Sequence, residues 1–480
     1  MIFIMKQRKF NLMYLLLIAV FVLSSCAKSS KNSKFIPADA AVVSLDIKQM
    51  FEKSKLGDNE EAKKKLLETI EENAKNQDTK DLIKKIVEDP AKAGIDLREP
   101  IYIFTIKGEK NAAIGTILDK DDFAQLINTA AKEGGEDGCK EKDGIMYLQD
   151  DKNIIAFDDA TFFASESYSL DDIIAKFKND DTKDTMAESD DFAKLIDSKG
   201  FIKALIPMEA LEDQVDANSK KMLPEGAELK DLSLLLGLST DKGEAKFSFE
   251  CIAKSDAWKN YIKSSTDMCG KISGDYLKYL PKGAFMMYIN INGKKLYEVL
   301  DKEKYIEDAG VTGDQKDLVK KILEAIEGDF ALGVGNIDTG TSKLDIPEVV
   351  AYLKTKDGSI ADLAKDNGLK PEEGMDFGFK DGATYVAIGE NGAFTEAKNG
   401  FDKSVVSGRR MYMFCDIATI AKVAGVVSGD AAGAAEAASD YIKTAELYDT
   451  SETSGELVVK MKDADKDPIE FFAELALKQF

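Results

Sequence analysis

Asp78-Thr79-Lys80-Asp81-Leu82-Ile83-Lys84-Lys85-Ile86-Val87-Glu88, in the first half of the chain, returns in the second as Asp314-Gln315-Lys316-Asp317-Leu318-Val319-Lys320-Lys321-Ile322-Leu323-Glu324. Charged amphipathic helices resemble one another by chance, so the weight of the match lies in its flanks. Upstream, Phe35-Ile36-Pro37-Ala38-Asp39-Ala40 leads into Val42-Val43-Ser44-Leu45-Asp46-Ile47. Its counterpart, Tyr279-Leu280-Pro281-Lys282-Gly283-Ala284, leads into Met286-Met287-Tyr288-Ile289-Asn290-Ile291. Each copy reads as an extended segment around a proline, then a strand, then a short helix.

Further segments follow in the same order. Ile114–Leu118 and then a helix resembles Val349–Leu353 and then a helix. Asn153–Phe163 resembles Thr384–Phe394, two short strands around an acidic turn. Ala204–Glu209 resembles Met411–Asp416, a strand ending on an acid able to open a helix, and the hairpin around Gly243 resembles that around Gly455. Collinear order over several segments is what a duplication predicts. The expected fold is therefore α+β: two homologous halves, 35–272 and 273–480, each with a largely antiparallel sheet and packed helices.

Outward from the repeat, the N-terminus carries an address. Lys6, Arg8 and Lys9 precede an apolar run from Leu12 to Leu23, the layout of a secretory signal. The run is about 12 residues, and a transmembrane helix needs roughly 20. Leu23-Ser24-Ser25-Cys26 closes the segment and resembles the lipobox of bacterial lipoproteins. There the small residues fit the signal peptidase and the cysteine thiol accepts the diacylglycerol. Residues 1–25 thus read as a signal peptide, Cys26 as the lipidated (palmitate-bearing) first residue of the mature chain, and 26–34 as a flexible polar tether. By resemblance to Gram-negative sorting rules, Ala27 after the cysteine favours the outer membrane. The tether has three lysines and no acid, which favours the periplasmic face, with the cell surface as the alternative. The segment Phe35-Ile36-Pro37-Ala38-Asp39-Ala40, a few residues after a lipidated cysteine, resembles a lipoprotein family of the Bacteroidota known only as a domain of unknown function. That resemblance implies an address and an architecture, and transfers no catalytic residue.

Removing the signal leaves 455 residues and takes the net charge from −22 to −25, since that segment holds three bases and no acid. So acidic a body repels phosphate backbones, which excludes nucleic acid as a partner. The chain has no histidine. Ser–His and Cys–His nucleophiles, HExxH zinc helices and histidine-ligated haem are therefore excluded, while carboxylate chemistry such as glycoside hydrolysis is not. Its one tryptophan, Trp258, gives little of the stacking surface sugar sites use, although 15 tyrosines remain. Cys139, Cys251, Cys269 and Cys415 could pair in three ways in an oxidising compartment. A helix between Cys251 and Cys269 would hold that pair apart, and buried free thiols are the expected state.

Asp463, Asp465, Asp467 and Glu474 match four ligand positions of an EF-hand loop. Pro468 stands where that loop needs a glycine, so the segment reads instead as a helix start, with Asp467 as N-cap, Pro468 first and Glu470 completing a capping box. Ser255 holds the matching cap position in the other half. Gly134-Gly135-Glu136-Asp137-Gly138-Cys139, Gly333-Val334-Gly335 and Gly270-Lys271 lack the residues of phosphate or dinucleotide loops and read as turns. Asp180-Asp181 and Asp190-Asp191 tempt as metal sites, but neighbours in sequence rarely point at one ion, and the second pair reads as the first turn of a helix capped by Ser189. The small-residue stretch Ala421–Ala438 reads as a loosely packed helix-loop-helix. Asp184-Thr185-Met186 resembles a three-residue O-glycosylation signal. No catalytic, metal or cofactor residue is nominated. The expected function is that of a lipid-anchored envelope module that binds or supports an envelope protein or glycan. The alternative is a carboxylate-dependent glycan-active enzyme with a cleft between the halves.

Overall fold

The computed structural model describes residues 31–477 except 58–59, 62, 65–66, 69–73, 75, 108–109, 151–152, 217–222, 303, 336–347, 372–373, 390–391, 398 and 422–436. Residues 1–25, read above as a signal peptide, Cys26 and most of Ala421–Ala438 lie outside the described residues. The chain forms two compact units that interleave in sequence. Unit 1 comprises Met1–Lys242, Phe249–Ser255 and Asp465–Phe480, and unit 2 comprises Gly243–Ser248 and Asp256–Ala464. This division differs from a boundary at 272/273: the chain's last helix belongs with the first half's sheet.

In unit 1 the strands are β1 (Ala41–Leu45), β2 (Ile101–Ile106), β3 (Lys110–Thr116), β4 (Lys140–Lys142), β5 (Ile145–Gln149), β6 (Ile154–Phe157), β7 (Thr161–Ser165), β8 (Ile202–Pro207) and β9 (Leu232–Asp241). They pair antiparallel in the order β9-β8-β1-β2-β3-β7-β6-β5-β4. The division between units runs through β10 (Glu244–Ala253). Unit 2 continues with β11 (Phe285–Asn292), β12 (Ile326–Val334), β13 (Val349–Thr355), β14 (Met375–Lys380), β15 (Ala383–Ile388), β16 (Met411–Asp416), β17 (Ile442–Asp449) and β18 (Ser454–Met461). These pair antiparallel in the order β18-β17-β16-β11-β12-β13-β15-β14. Helices plus antiparallel sheet make the protein α+β, as its alternating apolar segments separated by amphipathic ones require.

Period-two alternation gives the unit 1 sheet two apolar faces. Val42, Tyr102, Phe104, Ala112, Ile114 and Phe163 point to one of them. There they meet Phe35, Ile36 and Met186, helix α4 (Leu170–Lys178) through Ile173 and Ile174, and helix α5 (Asp190–Asp197) through Phe192 and Leu195. Phe157 and Phe162 point to the other face, covered by α1 (Ile47–Ser54), α2 (Gln77–Glu88) and α3 (Lys120–Gly134). The edge-on pair Phe123–Phe157, with ring centroids 4.9 Å apart, ties α3 to β6. The recurring segment at 78–88 is α2, capped by Asn76, whose side chain accepts from the Thr79 N–H. It buries Leu82, Ile83, Ile86 and Val87.

In unit 2 the copy at 314–324 forms helix α8 (Asp314–Glu324), after α6 (Asp256–Asp267) and α7 (Gly293–Lys302), but no residue of α8 is fully buried. One amphipathic pattern thus serves two depths of burial, because depth is set by what packs on the helix. The main core of unit 2 is aromatic. Tyr288, Tyr352 and Tyr412 are fully buried, and Tyr276 stacks on Tyr352 at 5.2 Å. Tyr288 and Tyr352 spend their hydroxyl oxygens on the backbone N–H groups of Tyr276 and Phe394. Burial pushes the Tyr276 hydroxyl up to about 12. Helix α9 (Ser359–Asp366) follows β13, and α10 (Pro468–Leu477) ends the described chain.

Four local expectations need correction. Lys31–Phe35 is a 3-10 helix with Asn32 and Ser33 buried, so the polar tether does not run to Lys34. The Asn32 side-chain amide donates to Thr116 Oγ1 (3.0 Å) and its oxygen accepts from Thr161 Oγ1 (3.2 Å), which lets a polar residue enter the interior. Gly333 and Val334 lie within β12 rather than in a turn. A Cβ on Gly333 would come within 2.7 Å of Pro281 Cδ, so this glycine serves close packing. Thr384–Phe394 does not form two short strands around an acidic turn: Thr384 lies within β15, which makes its hairpin with β14 across Asp381-Gly382, both at positive φ. Finally, β8 ends on Pro207 and the following 3-10 helix has no side-chain cap, so Glu209 does not open it. Asp416 does cap its segment, accepting from the Thr419 N–H at 2.9 Å.

Candidate functional site

The acids singled out in the sequence are engaged by the fold. Asp467 starts α10 by accepting from the Ile469 N–H (2.9 Å), and it also accepts from Thr240 Oγ1 (2.7 Å) and pairs with Lys53 (3.1 Å). Glu470 pairs with Lys55 (2.8 Å) and Glu474 with Lys466 (2.7 Å), so this stretch is a helix start. Asp180 pairs with Lys34, and Ser189 caps α5 as its sequence suggests. Asp191 is buried, accepting from Ser233 Oγ (2.8 Å) and pairing with Lys254 (2.9 Å). Gly135 ends α3 in the left-handed region. Thr185 caps a 3-10 turn and donates to the Thr182 carbonyl.

Further buried acids lie elsewhere. Glu133 accepts from Thr79 Oγ1 (2.9 Å) and the Asn76 amide. Asp329 accepts from the Ser273 N–H (2.9 Å) and Oγ (2.7 Å), the Gly274 N–H (3.1 Å) and the Asn290 amide (2.8 Å). A carboxylate held by neutral donors inside a fold stabilises that fold, and none of these hydrogen bonds joins one acid to another. Among the described residues no group of three Cys, Asp or Glu stands close enough to hold a metal ion.

The four thiols are free and half-buried. Burial raises all four above the usual thiol range, Cys139 to about 11. At Cys269, the Arg410 charge opposes that rise and Asp449 adds to it. A raised pKa means little thiolate near neutral pH. Alkylation by iodoacetamide, followed by intact mass, should therefore be slow at about pH 8 and keep accelerating beyond about pH 9, where an ordinary thiol levels off. A plateau by about pH 9 at Cys139 would contradict the burial seen here.

Two surface cavities stand out among the described residues. One, of about 560 Å³ along α2 and α3, mixes Asp78, Asp81 and Asp121 with Lys85 and Lys132. The other, of about 760 Å³, lies within unit 2 and collects Lys271, Arg409 and Arg410 with Tyr448, Asp449, Glu452 and hydroxyl side chains. Its wall is the loop before β16 and the turn after β17. Gly408, at φ 83°, lets the loop turn, and its N–H donates to the Ile272 carbonyl at 3.0 Å. Arg409 Nε then reaches the Val405 carbonyl (2.8 Å) and Nη1 the Asp449 carbonyl (3.2 Å). Its guanidinium lies 3.8 Å from the Tyr448 ring centroid. Burial and the hydrogen bond to Glu456 push the Tyr448 hydroxyl up to about 12, against the pull of Arg409. Asp449 Oδ1 accepts the backbone N–H groups of Arg410 and Met411, each at 2.8 Å. Arg410 Nη2 bonds Glu452 at 2.9 Å, while its buried Nε has no hydrogen-bond acceptor.

Chemically, this arrangement of cations, hydroxyls and partly engaged acids can hold an anion. Sequence reasoning missed it. The available signal was rarity: only four of the 65 basic residues are arginines, and two of those are adjacent.

Fold and site together define an α+β protein of helices and antiparallel sheet with a polar cavity that gathers three cations and two acids. Residues 32–372 match the family described as Domain of unknown function (DUF4836), and the chain belongs to that family. No curated protein and no solved structure matches the chain.

Proposed function

We propose that the chain is a non-catalytic envelope lipoprotein, held through a lipid on Cys26 at the periplasmic face of the outer membrane, whose folded body binds an envelope component. The observation that carries the binding half of this reading is the engagement of the buried acids. Asp191, Glu133, Asp329 and Asp467 are each bound by hydroxyl, amide, backbone N–H or lysine groups, and the two acids of the larger cavity are also engaged, Asp449 by backbone N–H groups and Glu452 by Arg410, beside the cations Lys271 and Arg409. A glycan-active enzyme would need two carboxyl groups facing one substrate. The basic start, the short apolar run and Ser24-Ser25-Cys26 support the anchor.

The test labels growing cells with palmitate. The parent chain should incorporate label and sediment with membranes, and Cys26→Ala should do neither. An unlabelled, soluble parent would overturn the anchor. Protease shaving of intact cells should leave the protein whole, and efficient digestion would place it on the cell surface instead.

We also infer that the two units descend from one duplicated unit. In both sheets the first three strands run side by side, a later hairpin adds beyond the third, and the next strand returns to the free side of the first. The hydrogen bond from the Asp46 N–H to the Phe201 carbonyl has its counterpart from the Asn290 N–H to the Arg410 carbonyl.

A further inference from the structure

We propose that the cavity framed by Lys271, Arg409 and Arg410 binds an oxyanion, phosphate or carboxylate, carried on a polar ligand of about sugar size. This rests on the reading of the chain as a binding module and names the ligand chemistry. A chain of net charge −22 repels anions over most of its surface, so an anion site requires cations concentrated locally and left incompletely neutralised. Arg409 meets that requirement. The two N–H groups it spends go to backbone carbonyls, not to a carboxylate, and the Tyr448 ring fixes its plane. A guanidinium has five N–H donors in a rigid fork suited to oxyanions, and holding it in place in advance lowers the entropy cost of binding.

The acids facing the cavity cancel part of this charge. Asp449 spends Oδ1 on two backbone N–H groups, and Glu452, with its side chain 58% exposed, holds Arg410 by a single contact. A ligand oxyanion can compete for that exposed contact, since surface ion pairs are worth little. The volume of about 760 Å³ is that of a small-molecule site, larger than a bare ion needs.

The register-matched positions of unit 1 sharpen the point. Strand pairing sets Ile202 against Leu45 and Met411 against Ile289. Where unit 2 has Arg409-Arg410, unit 1 therefore has Gly200-Phe201, with Phe201 fully buried. The common framework works without arginines, so the pair is not required by the strand itself.

The test uses the full chain labelled with nitrogen-15 arginine, whose Nε–H signals come from Arg8, Arg98, Arg409 and Arg410 alone. Arg98, held by Asp96 through Nε (2.7 Å) and Nη2 (2.8 Å), is the internal control. The probes are glucose 6-phosphate, glucuronate and neutral glucose. The Arg409 and Arg410 signals should move along a saturable curve with one or both anions, with Arg98 still and glucose silent. Which anion binds more tightly distinguishes a phosphorylated from a uronic-acid ligand. Arg409→Met should weaken binding about tenfold or more. Lys271→Met, at an exposed position with little risk to folding, should weaken it about threefold or more. No saturable shift at about 50 mM, far above the dissociation constant of even a weak site of about 1 mM, would overturn the site. So would parallel movement of all the arginine signals. Either failure leaves the anchored-module reading standing, since that is read by palmitate labelling.

Discussion

Asp329→Ala should destabilise unit 2 by about 3–5 kcal/mol, the largest loss expected from any single substitution proposed here. Asp329 sits in β12 opposite Asn290 of β11 and is 1% exposed. Its carboxylate gathers the Ser273 and Gly274 N–H groups, the Ser273 hydroxyl and the Asn290 amide. Alanine would strand these donors, each costing about 1–3 kcal/mol if left unsatisfied, with partial recovery by water. Asp329→Asn keeps one acceptor but turns an NH2 group toward other donors, so its cost should be intermediate, about 2 kcal/mol. Urea unfolding followed by Trp258 fluorescence measures both, because Trp258 is the chain's one tryptophan, is buried, and lies in the same unit. A loss below about 1 kcal/mol for the alanine variant would show that the cluster is solvated. The same carboxylate clamps the loop that carries Lys271, so the alanine variant should also bind the anion probe more weakly.

The second large effect is expected at Asp467, where α10 joins unit 1. Thr240 Oγ1, the Ile469 N–H and Lys53 Nζ converge on this carboxylate, and Lys53 also donates to the Thr240 carbonyl (2.6 Å). Asp467→Ala removes a helix cap, worth about 0.5–2 kcal/mol, and a charge-assisted contact worth about 1.5–3. A total of about 2–5 kcal/mol is expected, measured by far-ultraviolet circular dichroism during denaturation. Asp467→Asn retains the cap and should cost about 1 kcal/mol. Ending the chain at Lys462 removes the whole helix that packs on α1 and should cost more than either substitution. A synthetic peptide of residues 463–480 should restore the lost stability when added in excess. Indifference to the truncation would mean that α10 does not belong to unit 1.

Much of the α+β architecture was legible because it is written in local periods. The short β-branched run at Val42-Val43 marks a strand, and Leu82, Ile83, Ile86 and Val87 mark one face of a helix. Caps were equally legible, since Ser189 and Asp467 act within two or three residues of themselves. Illegible features depend on distant partners. Gly333 of β12 looks like part of a turn until Pro281 is seen packed against it. Asn32 looks like tether until Thr116 and Thr161 receive it.

The repeated helix 78–88 and 314–324 illustrates the division. By itself the sequence determined that both segments are amphipathic helices in a two-part α+β chain and that no histidine is present in it. Only the tertiary structure decided that the first copy is deeply buried and the second is not. It alone assigned the last helix to the first half's sheet and brought Lys271, Arg409 and Tyr448 around one cavity. The reason is physical: helix period and capping are settled within a few residues, whereas burial and electrostatic environment are properties of surfaces that meet only when the chain has folded.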